Sequence, residues 1–232
     1  SSHHPYNRNN GSMIPNRGYQ QLVSFGFFAE LGPLSIQFKP ESVYAENRDF
    51  EGFPDSHYDA IWAKRYRGLW NYIDLPERFG ENAYKKSLFG QSSIRLNYSG
   101  LSLGLSSENI WWGPGQFNSL IYTNNAPGFI HAYIQSNKPI ETKVGNFEFK
   151  IISGKMDSLN WINPDQRIMC AIWPGAIIPK TNQQRVMQAF TVNYNPKWFP
   201  NLYLGYAYST QHYSTNNKKY IEPFSMAKTK AD

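Results

Sequence analysis

A period-two alternation of apolar and polar residues is the feature that most constrains the fold of this chain. In residues 93–106, SIRLNYSGLSLGLS, every second residue is Ile, Leu or Tyr, except where Ser99 and Gly100 interrupt the pattern. Successive side chains of a β-strand point to opposite faces, so the segment predicts a hairpin with one apolar face. A soluble sandwich would bury that face against a second sheet, whereas a membrane barrel would expose it to lipid. Periodicity alone does not separate these two folds.

The same alternation predicts three further hairpins. They occupy residues 19–39 with a turn at 31–33, residues 129–151 with a turn at Gly145 and Asn146, and residues 190–208 with a turn at 195–200. Pro139 predicts a bulge or a break in the strand that precedes the second of these turns. That hairpin also carries alternating charges on one face, which predicts a solvated wall made of Glu141, Lys143, Glu148 and Lys150.

Short turns alternate with long connections along the whole chain. The connections cover residues 45–86, 106–128, 158–185 and the region after 211. This alternation of short and long connections predicts an all-β, antiparallel transmembrane β-barrel with short periplasmic turns and long extracellular loops. One short amphipathic helix is predicted in residues 45–86 from the helical spacing of Trp62, Tyr66, Leu69, Trp70 and Ile73. Aromatic girdles are expected at both ends of the strands, an inner one of Tyr98, Tyr194, Trp198 and Phe199 and an outer one of Trp111, Trp112, Tyr122 and Tyr213.

Composition supports a barrel and excludes several other classes of protein. Aromatic residues reach 16% while charged residues are only 17%, which suits aromatic girdles or a β-rich carbohydrate binder. No apolar run approaches the roughly 18 to 20 residues of a spanning helix. The single cysteine, Cys170, forms no internal disulfide. A net charge of +6 suits an acidic partner such as an anionic glycan or lipopolysaccharide phosphate, and nothing indicates nucleic acid.

Residues 107–129, SENIWWGPGQFNSLIYTNNAPGF, are the densest concentration of aromatic and turn residues. The motif Gly113, Pro114 and Gly115 predicts a chain reversal directly after two tryptophans, with the second glycine free to take a positive φ. If the backbone before the turn is extended, Trp111 and Trp112 point to opposite faces. We expect this segment to form a rim that lies outside the core.

This segment resembles the signature region of the capsule assembly Wzi family, outer-membrane β-barrels of Gram-negative bacteria that help hold capsular polysaccharide at the cell surface. The WWGPG motif and the Asn-Ala-Pro turn after it carry the resemblance. The resemblance implies a large barrel that acts as a lectin rather than an enzyme. Since the alternation accounts for only about eight strands, we expect residues 1–232 to form a single domain that is the N-terminal part of a larger barrel.

Aromatic rings and amides in the long connections are the candidate glycan-binding residues. Sugar rings stack their C–H faces on Trp and Tyr, and their hydroxyl groups pair with Asn, Gln and Arg. The candidates are Trp111, Trp112, Gln116, Asn118, Asn124, Asn125, Trp161 and Trp173, with Lys64, Arg65 and Arg67 for an acidic glycan. The same aromatic residues suit interfacial anchors or loop packing, and residues 45–86 suit a loop with its own small core.

No catalytic motif is present, and the sequence predicts neither a metal nor a cofactor. Residues 100–104, GLSLG, fit the letters of GxSxG but lie within a predicted hairpin and not at a strand-to-helix turn, and HExxH and the P-loop pattern are absent. His57, His131 and His212 are too scattered to indicate a metal site. The predicted function is therefore non-enzymatic binding of surface or capsular polysaccharide at the outer membrane, in contact with lipid and lipopolysaccharide. The alternatives are an accessory barrel bound to other envelope proteins, a general porin, and a soluble carbohydrate-binding sandwich.

Overall fold

The computed structural model describes residues 10–54, 56–72, 78–157, 178 and 183–214. One α-helix, α1 (Asp59–Arg65), continues into a π-helical turn, Tyr66–Trp70. In chain order the strands are β1 (Gln20–Ser24), β2 (Phe27–Leu31), β3 (Leu34–Phe38), β4 (Glu41–Ala45), β5 (Tyr84–Leu88), β6 (Ser93–Tyr98), β7 (Leu101–Ser106), β8 (His131–Ser136), β9 (Ile140–Thr142), β10 (Gly145–Met156), β11 (Arg185–Pro196) and β12 (Leu204–Tyr213).

The strands form an antiparallel meander. The main sheet has nine strands in the order β12-β11-β10-β8-β7-β6-β3-β2, with β9 paired to β10, so neighbours in space follow chain order. Short turns join β2 to β3, β6 to β7, β9 to β10 and β11 to β12. The long connections lie at the opposite ends of these strands, because antiparallel neighbours reverse direction at each link. The predicted all-β antiparallel architecture with one short helix is confirmed.

A three-stranded sheet, in the order β1-β4-β5, extends the main sheet toward the long-loop end. The register that pairs Phe27 with Phe38 continues without a shift to the pair of Ser24 and Glu41. On the other side, the pairs Gln37↔Ser93 and Glu41↔Leu88 are four residues apart along β3 and β4. They are five residues apart along β5 and β6. This extra residue is a β-bulge between β5 and β6.

The sequence prediction missed β4 and β5. The connection predicted for residues 45–86 ends earlier, since β5 begins at Tyr84. Lys85 and Lys86 are weak strand formers, and the bulge breaks the alternation that would have joined β5 to β6. Pro40 similarly separates β3 from β4 in the sequence pattern.

The third hairpin turns at Lys143 and Val144, not at Gly145 and Asn146 as predicted. Thr142 pairs with Gly145, and the Thr142 hydroxyl donates to the Gly145 carbonyl over 2.6 Å, which closes a two-residue loop. The break expected at Pro139 is confirmed, because β8 ends at Ser136 and β9 begins at Ile140. Lys143 therefore leaves the predicted charged wall, while Glu141 shares a face with Asn146 and hence with Glu148 and Lys150.

The two faces of the main sheet differ sharply in chemistry and burial. The outer face carries the apolar residues, and Leu103 keeps 60% of its surface exposed, Leu105 53% and Leu96 51%. The inner face carries small polar residues, and Ser102 is only 1% exposed and Ser106 4%. Directly opposite residues confirm the sorting, since Leu96 pairs with Leu103 and Asn97 with Ser102. The sheet thus exposes its apolar face and buries its polar face.

The long connection between β4 and β5 contains α1 and a small aromatic core of its own. Trp62 and Tyr66 are buried with their rings stacked 6.1 Å apart, and Phe53 meets Trp62 edge-on at 4.8 Å. The predicted short helix is confirmed, and the loop has packed aromatic residues of its own. In the described part of the chain, no helix has the length and apolar character needed to cross a bilayer.

Candidate functional site

The signature segment, residues 107–129, folds back on itself as a narrow hairpin between β7 and β8. The backbone N–H of Trp112 donates to the Ile121 carbonyl and that of Ile121 donates to the Trp112 carbonyl, both over 3.1 Å. The indole N–H of Trp111 donates to the Gly115 carbonyl over 2.9 Å, which closes the loop between them. The reversal predicted after the two tryptophans is therefore present.

Glycine is required at both ends of the WWGPG turn, for different reasons. Gly113 takes the positive φ of +120°, so it is the glycine before the proline that carries the left-handed conformation, and the prediction that Gly115 would carry it is wrong. Gly115 is needed for space, because an added Cβ would lie 2.1 Å from the carbonyl oxygen of Asn118. The motif fixes the shape of the turn through its backbone.

One side of the hairpin packs into the interior. Ile110 is buried in a cluster with Tyr133, Ile152 and Ala189 on the inner face of the sheet, and Trp112 packs against that cluster. The expectation that the whole segment lies outside the core is therefore wrong for Ile110 and Trp112. The segment covers the inner face because it is apolar on that side.

Tyr122 also turns inward, so the predicted outer girdle is wrong for Trp112 and Tyr122. The Tyr122 ring meets the Trp112 ring edge-on at 5.3 Å, and its hydroxyl lies 2.6 Å from the Ser209 hydroxyl on β12. Burial raises the pKa of the Tyr122 phenol. Tyr213, the fourth expected girdle residue, pairs with Arg185 at a position of the inner face, and the Arg185 guanidinium lies 5.2 Å from its ring.

A carboxylate anchors the start of the signature segment to the inner face. Glu108 accepts a hydrogen bond from the Gln37 amide over 2.8 Å and from the Ser106 hydroxyl over 3.1 Å. The Ser93 hydroxyl also donates to it, over 3.3 Å. These donors come from β3, β6 and β7, so a single side chain ties three strands to the base of the loop.

A second set of hydrogen bonds holds the neighbouring residue. The Gln91 side chain donates to the Asn109 amide oxygen over 2.8 Å and accepts from the Asn109 backbone N–H over 3.0 Å. Asn109 in turn donates to the Ala126 carbonyl over 2.8 Å, which spans the segment from its start to its end. The hairpin is therefore fixed at its base as well as at its turn.

The other side of the hairpin projects outward as an exposed tip. Gln116 and Asn118 are exposed, and beside them Phe117 is 84% exposed and Leu120 74%. Asn125 is exposed and Asn124 half-buried, where the Asn124 carbonyl accepts from the Gly11 N–H over 2.6 Å. The tip presents amides and apolar surface together on a hydrogen-bonded base.

The three predicted cationic residues lie on the helical connection. Lys64 and Arg67 are exposed, whereas the Arg65 guanidinium lies 4.2 Å from the Phe53 ring centre. Partial burial lowers the pKa of Arg65, which still leaves it charged at neutral pH. The remaining two candidates, Trp161 and Trp173, lie outside the described residues.

The structure brings Trp111, Trp112, Gln116 and Asn118 together in one hairpin and places the three cations on a different connection. Sequence reasoning missed Phe117, which is 84% exposed, and two strongly exposed tyrosines on the helical connection. Tyr58 is 75% exposed and Tyr72 81%. Both flank the predicted helix. Their exposure could have been predicted from the sequence, because neither falls on the apolar stripe of the helix.

Comparison with protein-family models gives one match, to the family described as capsule assembly protein Wzi, over residues 2–212. The matched region includes every described strand apart from the last residue of β12. Comparisons with curated proteins and with solved structures give no match. Because the family model covers most of the chain, the protein belongs to the capsule assembly protein Wzi family.

Proposed function

We propose that this chain forms part of the wall of an outer-membrane β-barrel, and that it binds capsular polysaccharide at its long-loop end to help attach or assemble capsule at the cell surface. Family membership supports the role in capsule assembly. The proposed role is one of binding and needs no catalytic group.

The observation that carries the membrane proposal is the inverted chemistry of the sheet. A water-soluble sheet buries its apolar face and solvates its polar face. Here Leu96, Leu103 and Leu105 are about half exposed or more, while Ser93, Ser102 and Ser106 are buried. In a bilayer this arrangement is favourable, because lipid meets the apolar face and the polar face lines the interior.

The edges of the sheet support a larger barrel. Within the described ranges, β2 and β12 each pair with one strand, so each leaves a row of backbone groups available for pairing. Open edges do not occur in the hydrocarbon region of a membrane, because unpaired backbone groups there are costly. We therefore propose that further strands join these edges and that residues 1–232 are one part of that single domain.

The exposed tip of the signature segment is the proposed glycan contact. Gln116 and Asn118 supply amide donors and acceptors, and Phe117 and Leu120 supply apolar surface for sugar C–H faces. Trp111 and Trp112 support the tip from within, since the first bonds to the turn and the second packs on the core. Lys64 and Arg67, which are exposed on the helical connection, are the proposed contacts for acidic sugars.

Membrane fractionation followed by heat-modifiable gel migration tests the barrel. We expect the protein in the outer-membrane fraction, with a faster band before boiling than after it. A protein that extracts without detergent and shows no such shift would instead be a soluble carbohydrate-binding sandwich, and the membrane proposal would be wrong.

Retention of purified capsular polysaccharide on the immobilised protein tests the glycan proposal. We expect Asn118→Ala and Leu120→Ala to weaken retention, since both change the tip without touching its anchors. Asn146→Ala, at the short-turn end, is the matched control and should leave retention unchanged. A conducting protein with no polysaccharide retention would be a porin, and stable co-purification with envelope proteins but not glycan would indicate an accessory subunit.

A further inference from the structure

The register of β2 and β3 continues into β1 and β4, so the outer face of the main sheet continues onto these two strands. Because the register holds from β3 to β4, Leu34, Ile36, Phe38, Ser42 and Tyr44 stand in one outward column. The ten residue steps from Leu34 to Tyr44 span about 33 Å along the strand. At the tilt usual for barrels this is about 25 Å along the barrel axis, which equals the height of a membrane-facing apolar band. Tyr44 therefore stands at the upper boundary of that band.

Tyr44 shares this boundary with a second tyrosine and a lysine. Its ring lies 6.4 Å from that of Tyr19, and the Lys85 ammonium lies 5.5 Å from the Tyr44 ring centre. Tyr44 and Lys85 are direct partners in the β4–β5 register, so both side chains leave the same outer face. In the described part of the chain, no carboxylate lies within ion-pair distance of Lys85.

We propose that Lys85, seated over Tyr44, binds the phosphate of a phosphorylated lipid in the membrane leaflet on the long-loop side. This inference rests on the membrane orientation given under the proposed function. Tyrosine is enriched at membrane–water interfaces, where lipid phosphates also lie. A Lys ammonium over an aromatic face keeps its N–H groups available to donate to phosphate oxygens.

The chemistry of the site points to phosphate rather than to the sugars above it. The site lies on the membrane-facing side of the strands, while the proposed glycan contacts lie on the connections beyond them. Tyr19 is 56% exposed and Tyr44 37%. A lipid headgroup can therefore reach Lys85 at the boundary between the apolar band and water. The occupant is therefore a lipid with an anionic headgroup anchored by its own acyl chains.

Native mass spectrometry of the full chain in detergent, titrated with phosphorylated lipid A or with dephosphorylated lipid A, tests this site. An interfacial lysine contributes about 1 kcal/mol toward an anionic lipid, so we expect Lys85→Gln to weaken binding of the phosphorylated form about fivefold. Tyr44→Leu, which keeps an apolar side chain on the exposed face, should weaken it to a smaller degree. Lys143→Gln removes an exposed lysine at the short-turn end and should change nothing.

Two results would overturn the proposal. One is equal retention of phosphorylated and dephosphorylated lipid A by the unaltered chain, and the other is equal binding by Lys85→Gln and Lys143→Gln. Failure of the protein to enter the outer-membrane fraction would instead overturn the membrane proposal itself. A chain that fractionates with the membrane and retains polysaccharide, but whose lipid binding is insensitive to Lys85, would overturn only the lipid site.

Discussion

The two faces of the β6–β7 hairpin have opposite environments although both are formed by the same two strands. On the outer face Leu96 and Leu103 pair across the strands and remain exposed, while on the inner face Asn97 and Ser102 pair and Ser102 is buried. The local strand pattern is the same as in any amphipathic hairpin. What differs is burial: the apolar face stays exposed and the polar face is buried, which is the reverse of a water-soluble sheet and supports the proposal that lipid covers the exposed face.

The inner face also shows how polar groups are buried at low cost. The Ser102 hydroxyl lies within hydrogen-bond distance of the amide oxygens of Asn97 and Asn137, the latter at 2.6 Å, so its single proton serves one or the other, and Asn97 donates to the Ser35 hydroxyl over 2.8 Å. Each of these groups therefore keeps a hydrogen bond inside the protein, which offsets the loss of water. Leu96, Leu103 and Leu105 on the outer face need no such network, because their side chains carry no polar atoms.

The largest expected effect comes from placing a charge on the outer face. Leu103→Lys should lower the free energy of unfolding in phospholipid vesicles by about 2–4 kcal/mol, because the ammonium would face hydrocarbon. Tyr98→Lys, next to the short turn, is the matched control and should cost about 0–1 kcal/mol. Guanidinium titration of the reconstituted variants measures both. If the two variants cost the same small amount, Leu103 faces water and the comparison of faces fails.

A smaller effect is expected from the hairpin that covers the inner face. Gly113→Ala should destabilise the fold by about 1–2 kcal/mol, because alanine resists a φ of +120° and its Cβ would lie 2.8 Å from Leu120. We also expect faster chymotrypsin cleavage after Phe117. Gly68→Ala is the control, since an added Cβ there meets open space. Equal cleavage in the two variants would show that the glycine does not hold the turn.

The network beneath the hairpin should contribute less. Glu108→Gln replaces charge-assisted hydrogen bonds from Gln37, Ser93 and Ser106 with neutral ones, so we expect a loss of about 1 kcal/mol. Glu148→Gln, an exposed position on the same inner face, should stay within about 0.5 kcal/mol of the parent. Chemical denaturation compares the pair. An equal stability of both variants would remove Glu108 from its proposed anchoring role.

The smallest expected effect lies at the end of β4. The Tyr19 backbone N–H, which donates over 2.8 Å, and then Arg48 hold the pKa of Glu46 below its ordinary value. The stability that the charged form adds is present at neutral pH and is lost as the pH falls through that lowered pKa. Glu46→Gln should therefore flatten the acid limb of a plot of unfolding midpoint against pH. Parallel plots for the two proteins would contradict this.

The sequence predicts the hairpins well where each strand keeps its alternation, as in β6 and β7, because one face is uniformly apolar. It fails at β5, where Lys85 and Lys86 and a bulge hide a strand whose partners are distant in the chain. It also fails for Trp112 and Tyr122. An aromatic residue in a long connection suits a girdle and a core equally well, and only the tertiary packing against Tyr133 and Ile152 decides between them.

The proposal that the outer face contacts lipid is tested most directly by a nitroxide scan over residues 101–106 of β7. The single cysteine would first be replaced by Cys170→Ser, and each labelled variant reconstituted in phospholipid vesicles. We predict that labels at 101, 103 and 105 collide readily with oxygen and poorly with a water-soluble nickel reagent, while labels at 102, 104 and 106 show low oxygen accessibility. High accessibility of 101, 103 and 105 to the nickel reagent would contradict the account.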